Sequence, residues 1–319
     1  MCYGFTLFGH PPGEEALFSD RRRILAPLGP RDRLRRTQGF GGIIPSMDKE
    51  QYLISRLGSD HIGDDGAVIG SQVMSVDAFC EGTHFRREWM TPAQIGRKAM
   101  LVNLSDAVAM NARPQYALLA VGLPEEMDEA EIGELIGAIE TTAAEWGCEL
   151  IGGDTVGSEK LHLSITLISR SEDPLRRTGI REGDLLAYTG TLGESLRQLR
   201  SLEAGEAVPE EGRFYTPELR AGFVRRGRAY LRAGMDLSDG LYCDTNKLLE
   251  VNGLGMEILK NINPEEGFSG EEYEMLVAFA PEHREKLEKV ALEEGTTLTV
   301  FARADRGNAR FPCHSHHFG

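Results

Sequence analysis

The chain has 319 residues, 41% of them hydrophobic and 27% charged, with a net charge of −15 at neutral pH. That length can hold two domains with ample core, and the composition is that of an ordinary globular protein. The negative balance argues against a nucleic-acid or anionic-membrane binder, and the longest apolar stretch, Tyr116 to Leu123, is far too short to span a bilayer.

Five cysteines (Cys2, Cys80, Cys148, Cys243 and Cys313) are odd in number and scattered, which reads as a reduced cytoplasmic setting rather than a disulfide framework. Residues 1–46 carry seven arginines, four acids and no lysine, so they are basic while the rest is strongly acidic. They read as a disordered or artefactual extension upstream of Met47.

From Met47 to Leu57 the pattern is that of a short amphipathic helix. Val73 to Phe79 alternates as a strand whose outward face would carry Ser75 and Asp77. Thr91-Pro92 is a cap and first-turn pair that opens a long helix to about Asn111, on which Asp106 lies beside an apolar stripe. An unpaired carboxylate is expensive there. Tyr116 to Gly122 reads as a buried strand, Asp128 to Trp146 as an acidic surface helix, and a strand ends at Ile151 before Gly152-Gly153-Asp154. Leu161 to Ser169 is a further strand.

Ser171 to Gly183 is polar and marks the best domain boundary. Beyond it come strand Leu185 to Thr189, helical material to Leu231, Met235-Asp236, and a helix from about Asp239 to Asn252 ended by Gly253 and Gly255. Strand Met256 to Leu259 follows, then Glu274 to Ala280, helix Pro281 to Glu294 and strand Thr296 to Ala302. The alternation predicts an α/β or α+β protein of two domains, residues 47–172 and 173–319, after the 1–46 extension.

Five short segments set aspartate beside glycine, serine or another acid: Gly63-Asp64-Asp65, Ser75-Val76-Asp77, Asn103-Leu104-Ser105-Asp106, Gly152-Gly153-Asp154-Thr155 and Asp236-Leu237-Ser238-Asp239-Gly240. Acids converging from distant parts of a chain repel unless a cation lies between them, and Mg²⁺ takes oxygen ligands shared with phosphate. GxxxxGK[ST], GxGxxG and GxSxG are all absent, so a nucleotide site would need another architecture. Gly152-Gly153 lets backbone approach a phosphate, or makes a tight turn. Ser238 and Asp239 can cap the helix that follows. His84 lies in a loop and reads by itself as surface. The Cys313-His314-Ser315-His316-His317 tail lacks a second Cys/His cluster to complete a zinc site.

Taken in order, GDDGAV (Gly63–Val68), SVD (Ser75–Asp77), EGTHF (Glu81–Phe85), NLSD (Asn103–Asp106), IGGDT (Ile151–Thr155) and MDLSDGL (Met235–Leu241) closely resemble thiamine-monophosphate kinase, of the aminoimidazole ribonucleotide synthetase and selenophosphate synthetase superfamily. The resemblance spans about residues 47 to 318. It implies an N-terminal sheet domain that pairs with a second subunit in a homodimer, a C-terminal α/β domain, and transfer of the ATP γ-phosphoryl group to thiamine monophosphate. It implies ATP and several Mg²⁺ ions, with K⁺ as a further candidate cation. The metal ligands would come from Asp65, the Ser75-Val76-Asp77 segment, Asp106, Asp154, Asp236 and Asp239, with Asp106 and Asp154 at the centre of catalysis. Asp64 would be a bystander. Gly153, Asp154, Arg177 and Ser238 would meet the nucleotide, and His84, Glu271 and Phe318 the thiamine. The chain has SGEEYE where the family has GGEDYE, and Ser315 where it has tyrosine near the C-terminus.

Two other readings share the motifs: ATP-dependent activation of another small molecule, of the selenophosphate or aminoimidazole ribonucleotide synthetase type, and a non-catalytic nucleotide-binding relative. Selenide chemistry would call for a reactive cysteine, for which Cys80 is the only nearby candidate.

Overall fold

A computed structural model describes residues 49–313. Its elements, in chain order, are α1 (Lys49–Arg56), β1 (Ala67–Ile69), β2 (Gln72–Cys80), α2 (Pro92–Ala109), β3 (Arg113–Pro124), α3 (Glu129–Glu145), β4 (Glu149–Ser158), β5 (His162–Arg170), β6 (Leu185–Thr189), α4 (Glu194–Glu203), α5 (Ala221–Gly227), β7 (Ala233–Asp236), α6 (Leu241–Val251), β8 (Gly255–Ile258), α7 (Pro264–Phe268), β9 (Met275–Phe279), α8 (Arg284–Glu293) and β10 (Leu298–Asp305). They build two five-stranded sheets, ordered β1-β2-β5-β3-β4 and β7-β9-β6-β10-β8. Among the named strands of the described residues, only β3 and β4 run parallel. The mixed α/β class expected from the alternation is the one observed. The residues 1–46 extension, Phe318 and the histidine tail lie outside the described residues.

The organising element is α2. Thr91 caps it, accepting from the Gln94 N–H, while the Gln94 side chain returns to the Thr91 N–H and Pro92 fills the first turn. Its buried residues run from Ile95 to Ala109 on almost every face, because it packs against β2, β3 and β5 of the first sheet and against β7 of the second. A helix that is apolar all round belongs inside. Gly96 allows a close approach: a Cβ there would lie 2.3 Å from the Leu135 carbonyl oxygen of α3.

Two strand expectations are corrected. On β2, Val73, Ser75 and Phe79 are buried and Asp77 is half-buried, whereas Val76 is exposed, so Ser75 and Asp77 face α2 rather than outward. Alternation shows which residues share a face, and the helix decides which face is covered. The strand expected to end at Ile151 instead continues through Gly152-Gly153-Asp154 to Ser158, paired along β3.

The expectation that the cysteines stay unpaired is corrected as well. Cys243, in the first turn of α6, is bonded to Cys313, while Cys80 and Cys148 are free. The two partners lie 70 residues apart in sequence, and only folding brings them together. Closing a loop of that length should stabilise the fold by about 4 kcal/mol in the chain-entropy treatment. Cys313→Ser should therefore lower the melting temperature of non-reduced protein and leave that of fully reduced protein unchanged. A scan with and without dithiothreitol checks it.

Candidate active site

Three carboxylates from distant segments converge. Asp65 comes from the loop before β1, Asp106 from α2 and Asp236 from the end of β7, and one oxygen of each lies within 4.8 Å of the others. Burial drives the Asp106 carboxyl well above the usual carboxylate range, and Asp77, Asp236 and Asp65 push the same way against Arg177. Asp236 is raised well above it too, first by burial and then by Asp65, with the Ser105 hydroxyl opposing. Asp65 is raised by burial, against the pull of Arg177.

Neighbours hold this repulsive group in place. Arg177 Nε donates to Asp65 Oδ1 at 3.0 Å and its Nη2 donates to the same oxygen. Burial works against the charge on Arg177, but Asp65 outweighs it and keeps the guanidinium firmly protonated. Asp64 has its own task, accepting from the Arg177 N–H and from Arg176 Nη1, each at 2.8 Å, so the adjacent acid fixes the arginine segment that grips Asp65. Ser105 Oγ donates to Asp236 Oδ2 at 2.6 Å. Asn103 Oδ1 accepts from the Asp77 N–H at 3.0 Å, drawing β2 against the same helix.

Asp65 Oδ2 is the telling atom. It is buried and has no hydrogen-bond partner among the described residues, although buried polar atoms nearly always have one. A buried carboxylate oxygen without a donor, beside two further carboxylates, is a donor set suited to a hard divalent cation.

Asp239, in the loop after β7, pairs with Lys247. The cap expected from Ser238 and Asp239 is not made: α6 begins after Gly240, at φ 91°, with no side-chain cap. Instead Asp244 Oδ2 accepts from the Asp239 N–H at 3.0 Å. Burial pushes the Asp244 carboxyl up to about 7, with Lys247 pulling it down and Asp239 raising it.

Residues 269–274 run beside that loop. The Glu271 N–H donates to the Ser238 carbonyl at 2.7 Å and the Tyr273 N–H to the Leu237 carbonyl at 2.9 Å. Glu272 is locked inside by Ser269 Oγ and the N–H groups of Gly193 and Ser195. Glu274 is held by Arg220, Arg213 and Thr189. Burial would raise the Glu274 carboxyl, but the Arg220 bond and charge overcome it and set it below the usual range. Pinning alternate residues leaves Glu271 at φ 54° and Tyr273 at φ 52°. Each costs about 1 kcal/mol or more, strain of the kind found at working sites. Half-buried His84 accepts at Nδ1 from the Cys80 N–H at 3.0 Å and stacks on Phe79.

Not every candidate joins the cluster. Asp154 is exposed on edge strand β4, in register with exposed Ala120, on the sheet face that α2 does not cover. Gly153 has a structural reason, since a Cβ there would lie 1.7 Å from the Leu119 carbonyl oxygen. Val76 is exposed on the same uncovered face and Ser75 is buried under α2. Conversely, Asn103, Ser105, Asp244 and Lys98 carry contacts that the motif reading did not assign. Their signal was polarity on otherwise apolar helical faces.

Residues 63–170 match the family described as AIR synthase related protein, N-terminal domain. The thiamine-monophosphate kinase of Aquifex aeolicus (strain VF5) is 34% identical over 218 residues, covering 65% of this chain and 71% of that protein. That of Rhodopirellula baltica is 33% identical over 254 residues, covering 69% and 76%. A solved structure, AaThiL complexed with AMPPCP and TMP, superposes with a TM-score of 0.73 at 29% identity over 82% of this chain and 91% of its own.

Raised carboxyl pKa values mean that the folded state holds protons the unfolded state has released. Metal-free protein therefore loses stability as pH climbs from the unfolded carboxylate value, about 4, toward the raised folded values. Asp106→Asn removes one of the repelling charges at constant volume. In EDTA at neutral pH its melting temperature should rise by a few degrees above the parent's and depend less on pH. A calorimetric series from mildly acidic to mildly alkaline buffer tests this; a fall in melting temperature would contradict it.

Proposed function

The chain belongs to the thiamine-monophosphate kinase family, and from that premise we propose that its buried carboxylates assemble the phosphoryl-transfer site with Mg²⁺. The reaction is ATP-dependent phosphorylation of thiamine monophosphate to thiamine diphosphate. The orphaned Asp65 oxygen among Asp106 and Asp236 is the observation that carries the metal assignment. Asp65, Asp106 and Asp236 would hold Mg²⁺ together, with Asp77 beside them and Asp239 taking a further ion. When bound, Mg²⁺ neutralises the phosphate charge that keeps donor and acceptor apart.

The chain's own part is alignment. The acceptor phosphate is already anionic near neutral pH, so no side chain has to take a proton from it. Arg177 occupies one oxygen of Asp65, Ser105 one of Asp236, and Asn103 anchors the Asp77 backbone, so the carboxylates are oriented before substrate arrives. Ser238 would lie against the nucleotide, and Arg177 beside its phosphates. His84 and Glu271 would meet the thiamine moiety. The assignment of Gly153 and Asp154 to the nucleotide and metal, of Ser75 and Val76 to the metal and of Phe318 to the substrate rests on motif order alone.

A homodimer would form through the uncovered face of the first sheet. Val76, Tyr116, Leu118 and Val156 are exposed there, and apolar strand residues in such number favour a covered face. The division into residues 47–172 and 173–319 is supported by the strand order, since the first sheet ends with Arg170 and the second begins with Leu185. Among the described residues no helix is long and apolar enough to cross a membrane. The ATP requirement favours the cytoplasm, where ATP is made.

Incubation with ATP, Mg²⁺ and thiamine monophosphate, followed by chromatography of the thiamine esters, should yield thiamine diphosphate and ADP. Its absence across Mg²⁺ and K⁺ concentrations would sink the reading. Asp106→Asn should lower kcat/KM by about a thousandfold or more, the order of loss when a central electrostatic group is removed. Val76→Glu should shift the protein from dimer to monomer in light scattering.

A further inference from the structure

Lys98 is fully buried, in the middle of α2. A lysine ammonium is rarely enclosed unless it is paired, because water solvates it far better than side chains do. Its Nζ donates to Glu271 Oε2 at 2.7 Å, and the pair joins residues 173 positions apart in the chain. The same ammonium lies 4.1 Å from the Phe214 ring centroid and 5.6 Å from that of Phe79, within reach of a cation–π attraction. Phe79 in turn stacks on His84, with ring centroids 5.5 Å apart. The two residues assigned to thiamine, His84 and Glu271, are thus linked through Phe79 and Lys98.

Lys98 uses only one oxygen of Glu271. Among the described residues the other oxygen receives no hydrogen bond, and the Glu271 side chain retains 24% exposure while Lys98 has none. We propose that Lys98 is a positioning residue for the acceptor substrate: from inside the fold it holds Glu271 so that its second carboxylate oxygen is presented to the thiamine moiety. This rests on the assignment of Glu271 to the substrate made above. The chemistry suits it. Thiamine carries a permanent thiazolium charge and an aminopyrimidine donor, and an ionised carboxylate serves both. An ammonium on the far oxygen sets the orientation of that carboxylate. It also fixes a side chain that projects from a backbone already held at φ 54°.

The test is steady-state kinetics of the full chain with ATP and thiamine monophosphate, together with melting curves, for Glu271→Gln, Lys98→Met and the double variant. Glu271→Gln should raise KM for thiamine monophosphate about tenfold or more, the loss expected for a hydrogen bond to a charged group. Lys98→Met should raise the same KM comparably, with kcat and KM for ATP within about twofold of the parent. The double variant should match Glu271→Gln alone, because Lys98 acts only through Glu271; if Lys98→Met alone fails to fold, a double variant clearly worse than Glu271→Gln still overturns the proposal. If Glu271→Gln changes nothing, the substrate assignment of Glu271 falls and the proposal with it. If Glu271→Gln raises KM while Lys98→Met does not, the assignment stands and Lys98 is not its positioner. A Lys98→Met defect shared equally by both substrates, or a double variant clearly worse than Glu271→Gln, would make the pair a structural tie and overturn the proposal.

Discussion

The fold is arranged around an electrostatic conflict. Three aspartates with oxygens within 4.8 Å of one another sit where burial already disfavours their charge. A protein interior multiplies the repulsion that water would screen. Such a cluster persists only if the surrounding chain restrains it and a counter-charge is available. The restraints are specific: a guanidinium on Asp65, a hydroxyl on Asp236 and a backbone anchor for Asp77. Among the described residues the counter-charge is incomplete, since one oxygen of Asp65 has no partner there.

One helix distributes the consequences. From α2 come Asp106, the Asn103 and Ser105 that orient its neighbours, and the Lys98 that reaches the other half of the chain. Its apolar residues belong both to the core of the first sheet, through Leu104 and Met100, and to a core of the second, through Val108 and Ala109. Moving this helix would disturb the carboxylate cluster and both cores together, so rigidity here holds the cluster and the fold at once.

The sequence announced the elements better than their surroundings. Thr91-Pro92, Asp128 and the alternation of Leu163, Ile165 and Leu167 carry their structural meaning locally, and those helices and strands appear where expected. The order of the aspartate motifs likewise foretold Asp65, Asp106 and Asp236 as companions. What failed depended on long-range packing. Alternation on β2 could not say which face α2 would cover. Gly152-Gly153 looks like a turn unless one knows that the β3 backbone fills the space of a Cβ. Asp64 and Asp65 are indistinguishable as letters, and only Arg176 and Arg177, over a hundred residues away, separate a clamp from a candidate ligand. Cys243 and Cys313 carry no local mark of their bond, and a lysine in a helix ordinarily reads as a solvated face.

The loop bearing Asp236 and Asp239 and the segment bearing Glu271 share a seam of main-chain hydrogen bonds, from Glu271 and Tyr273 to Ser238 and Leu237. Main-chain bonds are indifferent to side-chain identity, so the seam survives substitution on either side while transmitting any shift between them. The placement of Glu271 and that of Asp236 and Asp239 are therefore one inherited trait in this architecture. A lineage that reshaped the Glu271 segment would have to move the Asp236 and Asp239 loop along with it. Divergence within such a fold should then come in jumps, with both segments rewritten together, and seldom by gradual retuning of one.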